Sequence, residues 1–175
     1  MSLTLADVQR WSSGQVREVS TALDATSTSM DGVRDGLRAL PHLGTWSGQA
    51  ADAANGSLDK LNTYLVGHIA ARQEASKVIS TAADEIDALK TFLQDVLDLA
   101  RGKFDINLET GTVTPITDEV NQDDLDYITT TLHQLLASAE MIDRELARTF
   151  LTGAGNWRTR FRSRRTRSHS TPRNW

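Results

Sequence analysis

From Val16 the apolar positions run Val16, Val19, Leu23, Met30, Val33, Leu37 and Leu40, spaced three and four apart, with Thr26 where one further member falls. This heptad stripe predicts a helix over residues 13–40 that offers one face to a neighbour. Pro41 ends it, and residues 42–48 read as a turn carrying Trp46-Ser47-Gly48. A second stripe opens at residue 49. Its seam positions are Ala51, Leu58, Leu65, Arg72, Ile79, Ile86, Leu93 and Ala100, alternating with Ala54, Leu61, His68, Ala75, Ala82, Leu89 and Val96. Unbroken over 49–101, such a helix is about 80 Å long. Asn55-Gly56 and Gly67 are its expected weak points, because Gly costs ~1 kcal/mol relative to Ala in a helix interior.

Beyond it Phe104, Ile106 and Leu108 alternate with polar residues around Glu109-Thr110-Gly111-Thr112, which predicts a short β-hairpin over about 103–116, with Pro115 confined to an edge. Thr117-Asp118 or Asn121 then caps a third helix with the seam Leu125, Ile128, Leu132, Leu135, Ala139, Ile142 and Leu146, expected to end near Phe150. The first and third helices are each about half as long as the second and fold back on it from opposite ends. They are therefore expected to meet near its middle, beside His68 and Arg72. The fold class is all-α: an elongated helical hairpin or three-helix bundle, with a small β-hairpin between the second and third helices.

Composition divides the chain. The 175 residues carry a net charge of −4, but residues 1–150 hold 12 Lys+Arg against 23 Asp+Glu, while residues 151–175 hold 7 Arg and no acid. The reading is one acidic helical domain over 1–150 and a disordered arginine-rich tail over 151–175. With no Cys, thiol catalysis and Cys-type zinc sites are excluded. No apolar run reaches the ~20 residues of a membrane-spanning helix. The start, Met-Ser-Leu-Thr-Leu-Ala-Asp, has neither the basic nor the apolar segment of a cleaved secretory signal.

A helix, a tight turn carrying Trp46-Ser47-Gly48, and a second helix opening Gln-Ala-Ala-Asp-Ala-Ala together resemble the Trp-x-Gly helical-hairpin proteins of type VII secretion, over about residues 5–101. Through the β-hairpin and Ile142-Asp143-Arg144-Glu145-Leu146-Ala147 the chain also resembles the N-terminal helical regions of actinobacterial type VII substrates and hydrolase-like effectors. In physical terms Gly48 permits a close reversal, and Trp46 is expected to bury its ring between the helix ends. The resemblance implies a secreted or envelope-associated protein exported without a cleaved signal, and a homodimer or a heterodimer with another helical-hairpin protein. A secretion chaperone or the secretion machinery is the further partner it implies. The family's Tyr-x-x-x-Asp/Glu export signal is missing: Tyr64 is followed four residues on by His68, and Tyr127 by Thr131. Either a partner chain supplies the signal, or the protein stays cytoplasmic.

The candidate partner interface comprises Val19, Leu23, Leu37, Leu58, Leu61, Leu65, His68 and Arg72. Within it, His68 and Arg72 sit one turn apart in an apolar seam, either as a register-fixing, pH-sensitive pair or as two long side chains reaching out to water. Four histidines without ligand spacing give no metal site, and Asp123, Asp124 and Asp126 read as helix-start acids. No phosphate loop, nucleophile elbow or carboxylate pair marks an enzyme, and no cofactor is expected. In the tail, Arg158, Arg160, Arg162, Arg164, Arg165 and Arg167, interleaved with Trp157 and Phe161, form a possible anion-binding segment for nucleic acid or a membrane surface. The function expected is a non-enzymatic, type VII secretion-associated protein acting by helix pairing. Two alternatives stand beside it: a truncated N-terminal targeting domain of a hydrolase-like effector, and a nucleic-acid or anionic-membrane adaptor working through the tail.

Overall fold

A computed structural model describes residues 3–40, 46–117 and 121–162, with side chains as far as residue 152. The chain is broadly all-α, in the order α1 (Leu5–Arg10), α2 (Ser13–Arg38), α3 (Gln49–Ala100), β1 (Phe104–Ile106), β2 (Val113–Pro115) and α4 (Gln122–Arg162). At 52 residues, α3 spans about 78 Å and is the spine on which the other elements lie. It passes through Gly56 and Gly67 without a break. A Cβ at either glycine meets nothing within 4 Å, so neither serves a close approach.

α2 lies antiparallel along the first part of α3. The register is fixed by Ser20 and Ser76, whose hydroxyls lie 2.9 Å apart and each donate to the other's backbone carbonyl at 3.1 Å. Further along, Arg17 forks between Asp84 (2.7 Å) and Asp87 (2.8 Å) of α3. The face of α2 turned inward carries Val16, Ser20, Leu23, Ser27, Met30, Arg34 and Leu37, of which only the two serines are fully buried. This is one position off the apolar stripe at alternate members. Val19 and Val33, assigned to the seam by hydrophobicity, and Thr26 between them are exposed. The reason is steric: small hydroxylated residues let the two backbones approach closely and pair their own polar groups, which a row of branched aliphatics prevents.

The second part of α3 is packed differently. Ala82, Ile86, Leu89, Leu93, Val96 and Ala100 face Ile128, Leu132, Leu135, Ala139 and Ile142 of α4 in one continuous core, closed at the end by Phe104 and by Leu5 and Val8 of α1. Here the expected heptads hold. α4 starts at Asn121, whose side-chain oxygen accepts from Asp123 N at 3.1 Å, as one of the two expected caps does; Asp118 lies outside the described residues.

β1 and β2 pair antiparallel, Phe104 with Pro115, Asp105 with Thr114 and Ile106 with Val113. The turn between them is shaped by Asn107, whose side-chain oxygen accepts from Glu109 N (3.0 Å) and Thr110 N (3.1 Å), and by Gly111 at φ 72°, a left-handed value that only glycine adopts without strain. The hairpin also holds α1: Leu108 O accepts from Ala6 N at 3.0 Å.

Three expectations need correction. α1 stands where no helix was predicted; its signal is a Thr4-x-x-Asp7 capping box, with Asp7 N donating to Thr4 Oγ1 and Thr4 N donating to Asp7. The last helix does not end near Phe150 but continues to Arg162, so residues 151–162, expected to be disordered, are helical. Finally, α2 and α4 come together beside Ile86, well past His68 and Arg72. α2 starts at Ser13 as expected, but the register that pairs Ser20 with Ser76 and Arg17 with Asp84 and Asp87 carries that start past His68 and Arg72 along the spine.

Candidate protein-interaction surface

The arm formed by α2 and the first part of α3 has only two layers, so each helix keeps a face in water. Gly48 begins α3 at φ 105°, with its carbonyl accepting from Asp52 N at 3.0 Å, and no side chain caps the helix there. This left-handed geometry is the physical content of the Gly in Trp46-Ser47-Gly48. Trp46 itself is 50% exposed, against the expectation of a ring buried between helix ends. Among the described residues, the two layers of the arm offer no third surface at that end to cover an indole. Residues 41–45, including His42, lie outside the described residues.

The expected interface residues separate into three groups. Leu65 is buried, whereas Leu23, Leu37, Leu58, His68 and Arg72 are half-buried between α2 and α3, and Val19 and Leu61 are exposed. Along the arm Val33, Leu40, Tyr64 and Val66 are exposed as well. Seam register explains Leu61: the residue turned inward is its neighbour Asn62, whose Oδ1 is buried with no hydrogen-bond partner. Sequence hydrophobicity passes over such a polar residue.

His68 sits between aromatic and cationic neighbours. The Tyr64 ring is 4.1 Å from its own, tilted by 46°, and Arg72 Nη1 lies 3.3 Å from both Nδ1 and the backbone carbonyl of His68. Arg72 therefore spends its guanidinium on the same helix and does not reach across as an ion-pair partner to α2. The i, i+4, i+8 spacing of Tyr64, His68 and Arg72 makes this a local stack along one face of α3.

At the far end of α2 lies an open groove of about 400 Å³, where α1, α2, α3 and α4 converge. Its walls are Trp11, Val16, Val19, Ile86, Leu146 and Phe150, and Arg10 and Asp143 stand among the residues lining it. The kink between α1 and α2 forms one wall, held by Lys90, which donates to Trp11 O at 2.7 Å, and by Ser12, which caps α2 by accepting from Gln15 N. Two carboxylates, Asp7 and Asp87, are held in their charged form. Hydrogen bonds from Arg10 and Thr4 lower Asp7 to a pKa of about 2, and Ser13 and then Arg17 lower Asp87. None of these features is legible as a site in the sequence, because Trp11 comes from the kink after α1, Val19 from α2 and Phe150 from α4.

Among the described residues no group of His, Cys, Asp or Glu is arranged to hold a metal ion, and no helix is long and apolar enough to cross a membrane. Arg158, Arg160 and Arg162 fall in the last turns of α4, while Arg164, Arg165 and Arg167 lie outside the described residues. No protein-family model, curated protein or solved structure matches the chain.

Proposed function

We propose that this protein is a non-enzymatic helix-pairing module of type VII secretion, in which α2 and α3 form a helical hairpin that a partner hairpin covers and α4 completes a three-helix bundle on the other half. The observation that carries this reading is the exposure of Val33, Leu40, Trp46, Leu61 and Tyr64. These large apolar side chains stand exposed on a two-layer arm whose turn is Trp46-Ser47-Gly48. A two-helix arm buries too little apolar surface to be more than marginally stable alone, and association offsets that deficit by mass action. The absence of a Tyr-x-x-x-Asp/Glu signal in the chain is consistent with a partner that carries it. Comparison of culture-filtrate and cell proteomes with and without an intact type VII machine tests the reading. The protein is expected in the filtrate only when the machine is intact; a cytosolic distribution unchanged between the two strains overturns it.

A further inference from the structure

The groove at the helix junction is apolar and aromatic within, through Trp11 and Phe150, and is bordered by unequal charge. Arg10 is already engaged by Asp7 (2.7 Å) and Arg17 by Asp84 and Asp87, whereas Asp143 makes no ion pair among the described residues. Of the two charged residues that line the groove, Arg10 is thus engaged by Asp7, and the Asp143 carboxylate is left to meet a cation, while Lys90 nearby is turned to Trp11 O. The chemistry this favours is a segment that presents an aromatic ring together with arginine.

Residues 163–175, Ser-Arg-Arg-Thr-Arg-Ser-His-Ser-Thr-Pro-Arg-Asn-Trp, have that chemistry: four arginines, no acid, and Arg173 two residues from Trp175. They are attached within reach. Phe150 lines the groove, and α4 runs on from it to Arg162, a rise of about 18 Å. The thirteen residues that follow span up to about 43 Å when extended, more than twice the return distance. Tethering at this length places the segment near the groove at an effective concentration on the order of millimolar, so weak contacts suffice.

We propose that residues 163–175 dock intramolecularly in the groove between α2 and α4, with the Trp175 ring among Trp11, Val16 and Phe150 and the Arg173 guanidinium on the Asp143 carboxylate. Docking occupies the arginines of the tail with the protein's own acidic surface and withholds them from outside anions. It is independent of the secretion reading.

The full chain has no cysteine, so Ser170→Cys carries a single nitroxide label. In about 50 mM salt the label is expected to cause selective loss of the Val16, Val19 and Leu146 methyl signals, unchanged on dilution, and at about 500 mM those signals return. Asp143→Lys, at an exposed position, restores them at low salt, and Trp175→Ala lessens the loss. Circular dichroism confirms that both variants fold. Loss spread over the whole acidic surface, loss that fades on dilution because a second copy is the acceptor, or no loss at low salt overturns the proposal.

Discussion

The two parts of α3 use the same heptad spacing to opposite ends. Between Ala82 and Ala100 the inward positions are aliphatic, four elements converge on them, and Ile86, Leu93, Leu132 and Leu135 are sealed from water. Between Ala51 and Ile79 a single helix covers the spine, the fully buried positions of that helix are Ser20 and Ser27, and an amide oxygen of Asn62 is buried without a partner. Yet α2 follows α3 closely over most of its own length. Close approach and strong association are therefore separable. The base is held by a multi-layered apolar core, whereas the arm joins a thinner apolar strip, with Leu65, Ile69 and Ile79 buried, to the buried Ser20–Ser76 hydroxyl pair.

The largest expected effect tests that contrast directly. Leu135→Ala in the base removes a fully buried side chain and is expected to cost about 2–5 kcal/mol, while Leu37→Ala in the arm, already half-exposed, costs less than about 1 kcal/mol. Urea denaturation of both variants checks this, and equal losses would mean the arm has a core of its own. Next is Asn62→Leu, which replaces the unpartnered amide by an apolar group of similar volume and is expected to raise stability by about 1–2 kcal/mol. A loss of stability would show that the oxygen has a partner in solution. Gly67→Ala follows, with a gain of about 0.5–1 kcal/mol in thermal or chemical unfolding, since its Cβ enters open space within a continuous helix.

The smallest effect belongs to α1. Asp7 is lowered from 3.8 to about 2 by Arg10 and Thr4, so its charged form stabilises the folded state fully above about pH 4, and that contribution disappears as the pH falls through 2. Asp7→Asn is expected to lower the urea midpoint slightly at pH 6 and to match the parent near pH 2. A difference that persists at the lower pH would place the effect of Asp7 in capping geometry and not in its charge.

What the sequence carries differs between the same two regions. In the base the seam positions from Ile79 to Ala100 and from Ile128 to Ile142 are buried as their spacing predicts, although Thr131 is buried beside them and Phe92, Leu99 and Met141 stay exposed. In the arm burial and hydrophobicity part company. Val19 and Leu61 are apolar and exposed, while Ser20, Ser27 and Ser76 are polar and buried, because a close two-helix contact selects for size and hydrogen bonding before hydrophobicity. Trp46 fails for a related reason: a ring is buried only if something lies over it, and that depends on how many layers reach that end of the molecule. α1 was passed over because six residues are too few for periodicity, leaving the Thr4-x-x-Asp7 spacing as its signal. The groove had no sequence signature at all, as its walls are brought together by the kink at Trp11 and by the length of α4.

The unbroken course of α3 through two glycines gives the molecule mechanical leverage. About 55 Å of continuous helix separates Ile86, where α4 grips the spine, from Gln49 at the free end. A tilt of about 5° at the grip displaces that end by roughly 5 Å, close to one helical turn, without breaking a hydrogen bond along the way. The groove between α2 and α4 lies at the fulcrum. For a given tilt the displacement grows with distance from Ile86 and is largest at the end of the arm that carries Trp46.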